Sequence, residues 1–126
     1  MAYPVSKLRF GELVEQAVAE LPPQFAAILE EVPIEIRDRA SAAQRQKMGL
    51  RRDELLLGLY HGRPLTRRSV EDSGRLPDVI YVFQEDIERS SNNEQDLIRQ
   101  VRITVLHEIG HHFGLNEKDL DELGYG

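Results

Sequence analysis

Apolar residues recur at helical spacing from Phe10 through Leu13, Val14 and Ala17 to Leu21. They predict an amphipathic helix with Ser6 as N-cap, ended by Pro22-Pro23. A second short helix is expected to turn Phe25, Ile28 and Leu29 inward, with Pro23 in its first turn. The period then changes. Val32, Ile34 and Ile36 alternate with Pro33 and Glu35, which predicts a half-buried strand over 32–37. Pro33 cannot donate to a ladder, so it lies among that strand's first residues or the strand lies at an edge. Residues 38–53 are polar and Arg-rich and read as a long mobile loop with one helical turn near Ala42. Residues 55–60 are apolar on both faces and predict a central strand, followed by a turn at His61-Gly62-Arg63-Pro64. After a polar loop over 65–77, Val79-Ile80-Tyr81-Val82-Phe83 is the most strand-like run in the chain. Its spacing from 55–60 allows the two to pair, in a direction the pattern leaves open.

Residues 84–92 are polar around a single apolar anchor, Ile87. Asn93 is a good N-cap, and Glu94 and Asp96 place acid in the first turn, where the helix dipole favours it. A long helix is expected from about Glu94 to Phe113, with Leu97, Ile98, Val101, Val105 and Ile109 facing the core. On the same projection Thr104, His107, Glu108 and His111 cluster beside that stripe, at the rim of the core. Gly114 is placed to end the helix in a left-handed cap, and Asn116 to cap a last short helix from Glu117 to Leu123.

Composition narrows the class. The chain has 126 residues, 40% hydrophobic and 30% charged, which fits one ordinary globular domain over 1–126. It contains no cysteine, so a zinc site must use histidine and carboxylate ligands. Lys7, Arg9 and Glu12 interrupt the early apolar residues, and no run approaches membrane-spanning length. A cytoplasmic location, without a membrane partner, is expected. The net charge of −6 argues against nucleic-acid partners, although it is uneven: −4 over 1–36, +5 over 37–75 and −7 over 76–126.

The chemistry is concentrated in His107-Glu108-Ile109-Gly110-His111, a His-Glu-x-x-His pattern. Residues four apart share a helix face, so His107 and His111 can address one Zn²⁺ ion with Glu108 beside them. A hydrolytic zinc takes three protein ligands and a water. Glu117, ten residues after His107, is the first candidate for the third ligand, with Asp119 and Asp121 competing. Zinc lowers the pKa of such a water to about 7. Glu108 is then the general base that takes its proton and passes it to the leaving amine. Tyr125 or Tyr81 is expected to help stabilise the oxyanion. His112 reads as a packing or hydrogen-bonding residue and His61 as a turn residue. The Arg51-Arg52 and Arg67-Arg68 pairs and the acidic groups near Glu122 read as solvated.

The chain resembles the minimal zincin-like metallopeptidases, small bacterial single-domain proteins. The resemblance runs through Phe10-Gly11-Glu12-Leu13-Val14, Leu21-Pro22-Pro23-Gln24-Phe25, Leu57-Gly58-Leu59-Tyr60-His61-Gly62 and Leu76-Pro77-Asp78-Val79-Ile80. It continues from Val101 through His107-Glu108-Ile109-Gly110-His111-His112-Phe113-Gly114-Leu115 to Leu123-Gly124-Tyr125, with 38–53 least matched. It implies an α+β fold: a small mixed β-sheet packed against an active-site helix and N-terminal helices. It also implies a zinc metallopeptidase acting on peptides or proteins, with His107 and His111 as ligands and Glu108 as base. In this family the residue matching Glu117 is often Asp, so Glu117 departs in length. No methionine follows the site to form a Met-containing turn. Only 13 residues follow Phe113, which predicts a shallow cleft completed by the 38–53 or 65–77 loops or by another chain. A peptide can still bind there by adding to a sheet edge.

Two other readings compete. One is a metal-dependent endoribonuclease, because a bacterial ribonuclease family places three histidines at the same 0, +4, +10 spacing and the middle of this chain is basic. Glu108, the carboxylate at position 117 and the negative net charge count against it. The other is a catalytically weak zincin-fold module that binds metal or peptide.

Overall fold

The computed structural model describes residues 2–51, 53–62 and 78–114, with 116, 118 and 122. In chain order these form α1 (Lys7–Ala19), α2 (Pro23–Glu31), β1 (Ile34–Arg37), α3 (Ala42–Lys47), β2 (Gly58–His61), β3 (Val79–Phe83), α4 (Gln84–Arg89) and α5 (Glu94–His112). The class is α+β, as expected: helices and a small mixed three-stranded sheet in the order β1-β3-β2. β1 runs parallel to β3, and β2 antiparallel to it.

Caps set the helix limits where the sequence places them. Ser6 accepts from the Arg9 amide at 3.0 Å, and Asn93 from the Asp96 amide at 2.8 Å. Pro23 occupies the first turn of α2. The core then joins α1 to α5. Phe10, Leu13 and Ala17 are fully buried with Leu97, Val101, Val105 and Ile109, and Ile80 and Val82 reach them from the sheet. Burying such a side chain contributes about 1.5–3 kcal/mol, so this shared cluster, rather than surface ion pairs, holds α5 in place.

Two expectations are corrected. Residues 38–51 are folded around a helix rather than forming a loop. Ser41 and Gln44 make a reciprocal capping box, the Ser-x-x-Gln signature of a helix start. Gly49, at φ 70°, ends α3: its amide bonds Gln46 and the Leu50 amide bonds Arg45. The Arg45 guanidinium, largely buried, donates to the carbonyls of Arg51 and Glu54 and lies 3.8 Å from Asp86.

Second, the strand expected at 55–60 is Gly58–His61 and lies at the sheet edge, while β3 is central. Just before β2, the Asp86 carboxylate takes the Leu56 amide, which faces away from β3, at 2.8 Å. The polar stretch after β3 forms α4 over 84–89, and its anchor, Ile87, is fully buried as expected. β1 is an edge strand, and Pro33 lies just outside it with its carbonyl accepting from Ile80. The polar loop at 65–77 and the last helix expected over 117–123 lie outside the described residues, isolated positions excepted. Among the described residues no helix is long and apolar enough to cross a membrane.

β2 approaches α5 closely at Gly58. A Cβ at Gly58 would lie 2.4 Å from Thr104 Cγ2 and 2.9 Å from the Tyr81 carbonyl. Gly58→Ala should therefore destabilise the protein by about 1–3 kcal/mol, the usual cost of overpacking. Thr104→Ser, which removes the Cγ2 methyl, should recover part of that loss. Urea unfolding midpoints of the two single variants and the double variant check this.

Candidate metal centre

The cluster sits on the last two turns of α5. His107 and His111 are half-buried on adjacent turns of one face, their ring centroids 4.8 Å apart and nearly perpendicular. Ligating atoms of His107, Glu108 and His111 all lie within 4.8 Å of one another. Two imidazoles and a carboxylate, with no thiol, are a donor set suited to zinc. The C-terminal half of a helix also favours positive charge through the peptide dipoles. The expectation that the histidines border the core holds. Thr104 and Glu108 lie deeper, at 5% and 7% exposure, because Gly58 lets β2 settle directly over them.

That depth determines the environment of Glu108. The Phe83 amide donates to the Leu57 carbonyl at 2.9 Å. Along an antiparallel strand, ladder bonds alternate with outward groups. Leu57 and Leu59 therefore bond toward β3, while Gly58 and Tyr60 turn their amides outward. The outward Tyr60 amide donates to Glu108 Oε1 at 2.8 Å. A buried carboxylate costs several kcal/mol unless it is hydrogen-bonded, and this charge-assisted bond offsets part of that cost.

Tyr60 acts at both ends. Its hydroxyl donates to Asp78 Oδ2 at 2.6 Å and lies 3.1 Å from His112 Nδ1. His112 Nδ1 also lies 3.4 Å from the same Asp78 oxygen, so this ring nitrogen faces both the phenol and the carboxylate. His112 and Asp78 are 3% and 5% exposed, and the Tyr60 and His112 rings meet edge-on with centroids 5.6 Å apart. The hydrogen-bonding role expected for His112 is thus observed, in the interior rather than at the helix flank. Asp78 and Tyr60 are not legible as polar partners in the sequence. Both flank strand-like runs, and nothing in the pattern says that the runs pair in the register that brings Tyr60 opposite Ile80.

Other expected residues fall elsewhere. Tyr81 pairs with Leu59 and shares its face, opposite the face through which Tyr60 and Ile80 look toward the core. Its ring stacks on Phe83 and lies under the Arg37 guanidinium, which removes Tyr81 as an oxyanion donor. His61 ends β2, exposed, rather than lying in the turn after it. Gly114, at φ 84°, makes the left-handed cap, with its amide bonded to the His111 carbonyl at 2.9 Å. Glu117, Asp119, Asp121 and Tyr125 lie outside the described residues.

The profile of the zincin-like metallopeptidase family matches residues 29–126, more than half of the chain. The chain belongs to this family. A solved structure of a conserved hypothetical protein from Thermo thermophilus resembles this zincin-like protein over 94% of this chain and 97% of that one, with 24% identity and a TM-score of 0.55. That likeness concerns the fold alone. No curated protein matches the chain. Family membership implies a metal, and the cluster on α5 is where the zincin-like chain gathers groups able to hold one.

His107→Ala and His111→Ala should each lose equimolar zinc, whereas His61→Ala should retain it. Elemental analysis of the purified variants after dialysis against trace zinc checks this. Retention by both His107→Ala and His111→Ala would place the metal elsewhere.

Proposed function

We propose that the protein is a zinc-dependent metallopeptidase that cleaves peptide bonds in extended peptide or protein segments. The observation that carries this reading is Glu108 buried beside His107 and His111, with one carboxylate oxygen tied to the Tyr60 amide. In this reading His107 and His111 hold the metal and Glu117 completes the protein ligands, with Asp119 and Asp121 as the alternatives. When bound, zinc supplies Lewis-acid polarisation and lowers the pKa of water. Glu108 is the general base: the Tyr60 amide fixes Oε1, and the other oxygen takes the proton and returns it to the departing amine. β2 is an edge strand lying against the site helix, so a substrate in extended form can align beside the site by main-chain hydrogen bonds to groups of β2 other than the Tyr60 amide, which Glu108 occupies. The proposed location is the cytoplasm.

The ribonuclease reading draws its support from the basic middle of the chain. Several of those side chains are engaged within the protein: Arg45 with Asp86, Arg51 with Glu54 and Arg37 with Glu35. Arg45 is largely buried, which withdraws that cation from a phosphate-binding surface, whereas Arg37 and Arg51 stay exposed.

Glu108→Gln keeps an oxygen for the Tyr60 amide and removes the base. It should retain zinc and lose roughly 10²–10⁴-fold in kcat toward a quenched-fluorescent peptide library. Undiminished zinc-dependent cleavage by this variant would make the assigned mechanism wrong. Glu117→Ala should release zinc, and unchanged zinc content would remove it as the third ligand.

A further inference from the structure

The chain of Tyr60, Asp78 and His112 is more than the metal cluster itself requires. Two nearly fully buried polar groups are costly to retain unless they are fully satisfied, and apolar packing of the same shape is often as stable. Their placement gives them a use. His112 directly follows His111 and points into the core, so whatever holds its ring sets the rotation of the last turn of α5. The Tyr60 hydroxyl donates to Asp78 Oδ2 and lies 3.1 Å from His112 Nδ1, which is itself 3.4 Å from the same carboxylate oxygen. Asp78 is seated in turn in the hollow left by Gly62, where a Cβ would lie 2.3 Å from Asp78 Oδ1. The backbone of the same tyrosine holds Glu108. One residue of the edge strand therefore grips the site helix one turn apart, at Glu108 and at His112, with His111 between the two grips.

We propose that Tyr60, Asp78 and His112 form a positioning latch, which fixes the base at Glu108 and the imidazole of His111 in one arrangement before metal or substrate binds. Tyr60 is a positioning residue through its hydroxyl; it does not touch the reacting atoms. This inference rests on the metallopeptidase reading for its kinetic consequence and on the metal site alone for its binding consequence.

Tyr60→Phe leaves the strand amide on Glu108 and removes only the hydroxyl. Competition with a chromogenic chelator should show zinc binding weakened about tenfold, at the low end for residues that orient ligands from behind. The visible absorption of the cobalt(II)-substituted protein should change in band position or intensity, and kcat should fall about tenfold with KM within about twofold of wild type. Asp78→Asn keeps an oxygen for the Tyr60 hydroxyl and should lose less zinc affinity than Asp78→Ala, which gives a second comparison if one variant folds poorly. Wild-type zinc affinity and an unchanged cobalt spectrum in Tyr60→Phe, with only a lowered melting temperature, would overturn the latch and leave the hydrolase reading standing. A wild type that binds zinc but cleaves no peptide would overturn the hydrolase reading, and the affinity and spectrum comparison would still decide the latch. A wild type that binds no zinc would overturn both.

Discussion

The close approach of β2 to α5 at Gly58 is the contact on which the site's geometry depends. A helix alone can place His107 and His111 on one face. It cannot place the Glu108 carboxylate, which has three rotatable bonds and faces a choice between water and the interior. The strand makes that choice. With no Cβ at position 58, the backbone settles onto Thr104 and Glu108, and the next outward amide, that of Tyr60, lies 2.8 Å from the carboxylate. Relieving a 2.4 Å contact to an ordinary van der Waals distance would lift the strand by about 1 Å, and a separation of about 3.6 Å or more no longer qualifies as a hydrogen bond. The site is thus specified by a helix and a strand together, and its tolerance is set by one missing methyl group.

What can be read from the chain beforehand divides along the same line. Features that depend on residues near in sequence are legible: the Ser6 and Asn93 caps, the apolar stripe of α5, the Gly114 turn and the spacing of His107 from His111. The Ser41-x-x-Gln44 box is equally local, and the helix it begins is longer than the single turn expected there. Features that depend on pairing between distant segments are not legible. The Leu-rich run before Tyr60 looks central because it is apolar on both faces. Yet the strand it forms, Gly58–His61, lies at the edge, and Asp86, a residue 30 positions after Leu56, takes the Leu56 amide. Tyr81 and Tyr60 cannot be assigned to opposite faces of the sheet until the register with β3 is known. Glu117, Asp119 and Asp121, the candidates for a third metal ligand, lie outside the described residues.

The family match begins at residue 29, so α1 stands outside it, yet α1 supplies Phe10, Leu13 and Ala17 to the core that supports α5. The matched part holds the cluster of His107, Glu108 and His111, and the unmatched helix helps pack the helix that carries it. The Arg45 clamp on the carbonyls of Arg51 and Glu54 does the same for the approach to β2, by fixing the segment that delivers Gly58 to the helix.

The bond between Glu108 and Tyr60 has a consequence apart from catalysis. An edge strand with outward amides invites a second molecule to add its own strand, which is a common route to aggregation. Glu108 occupies one of those amides with a charged group, so the residue assigned to move a proton also guards the sheet's border. A relative that neither bound a metal nor cleaved a substrate would still need an acceptor at position 108 for the Tyr60 amide. In such a relative, a glutamate at this position would record solubility rather than activity.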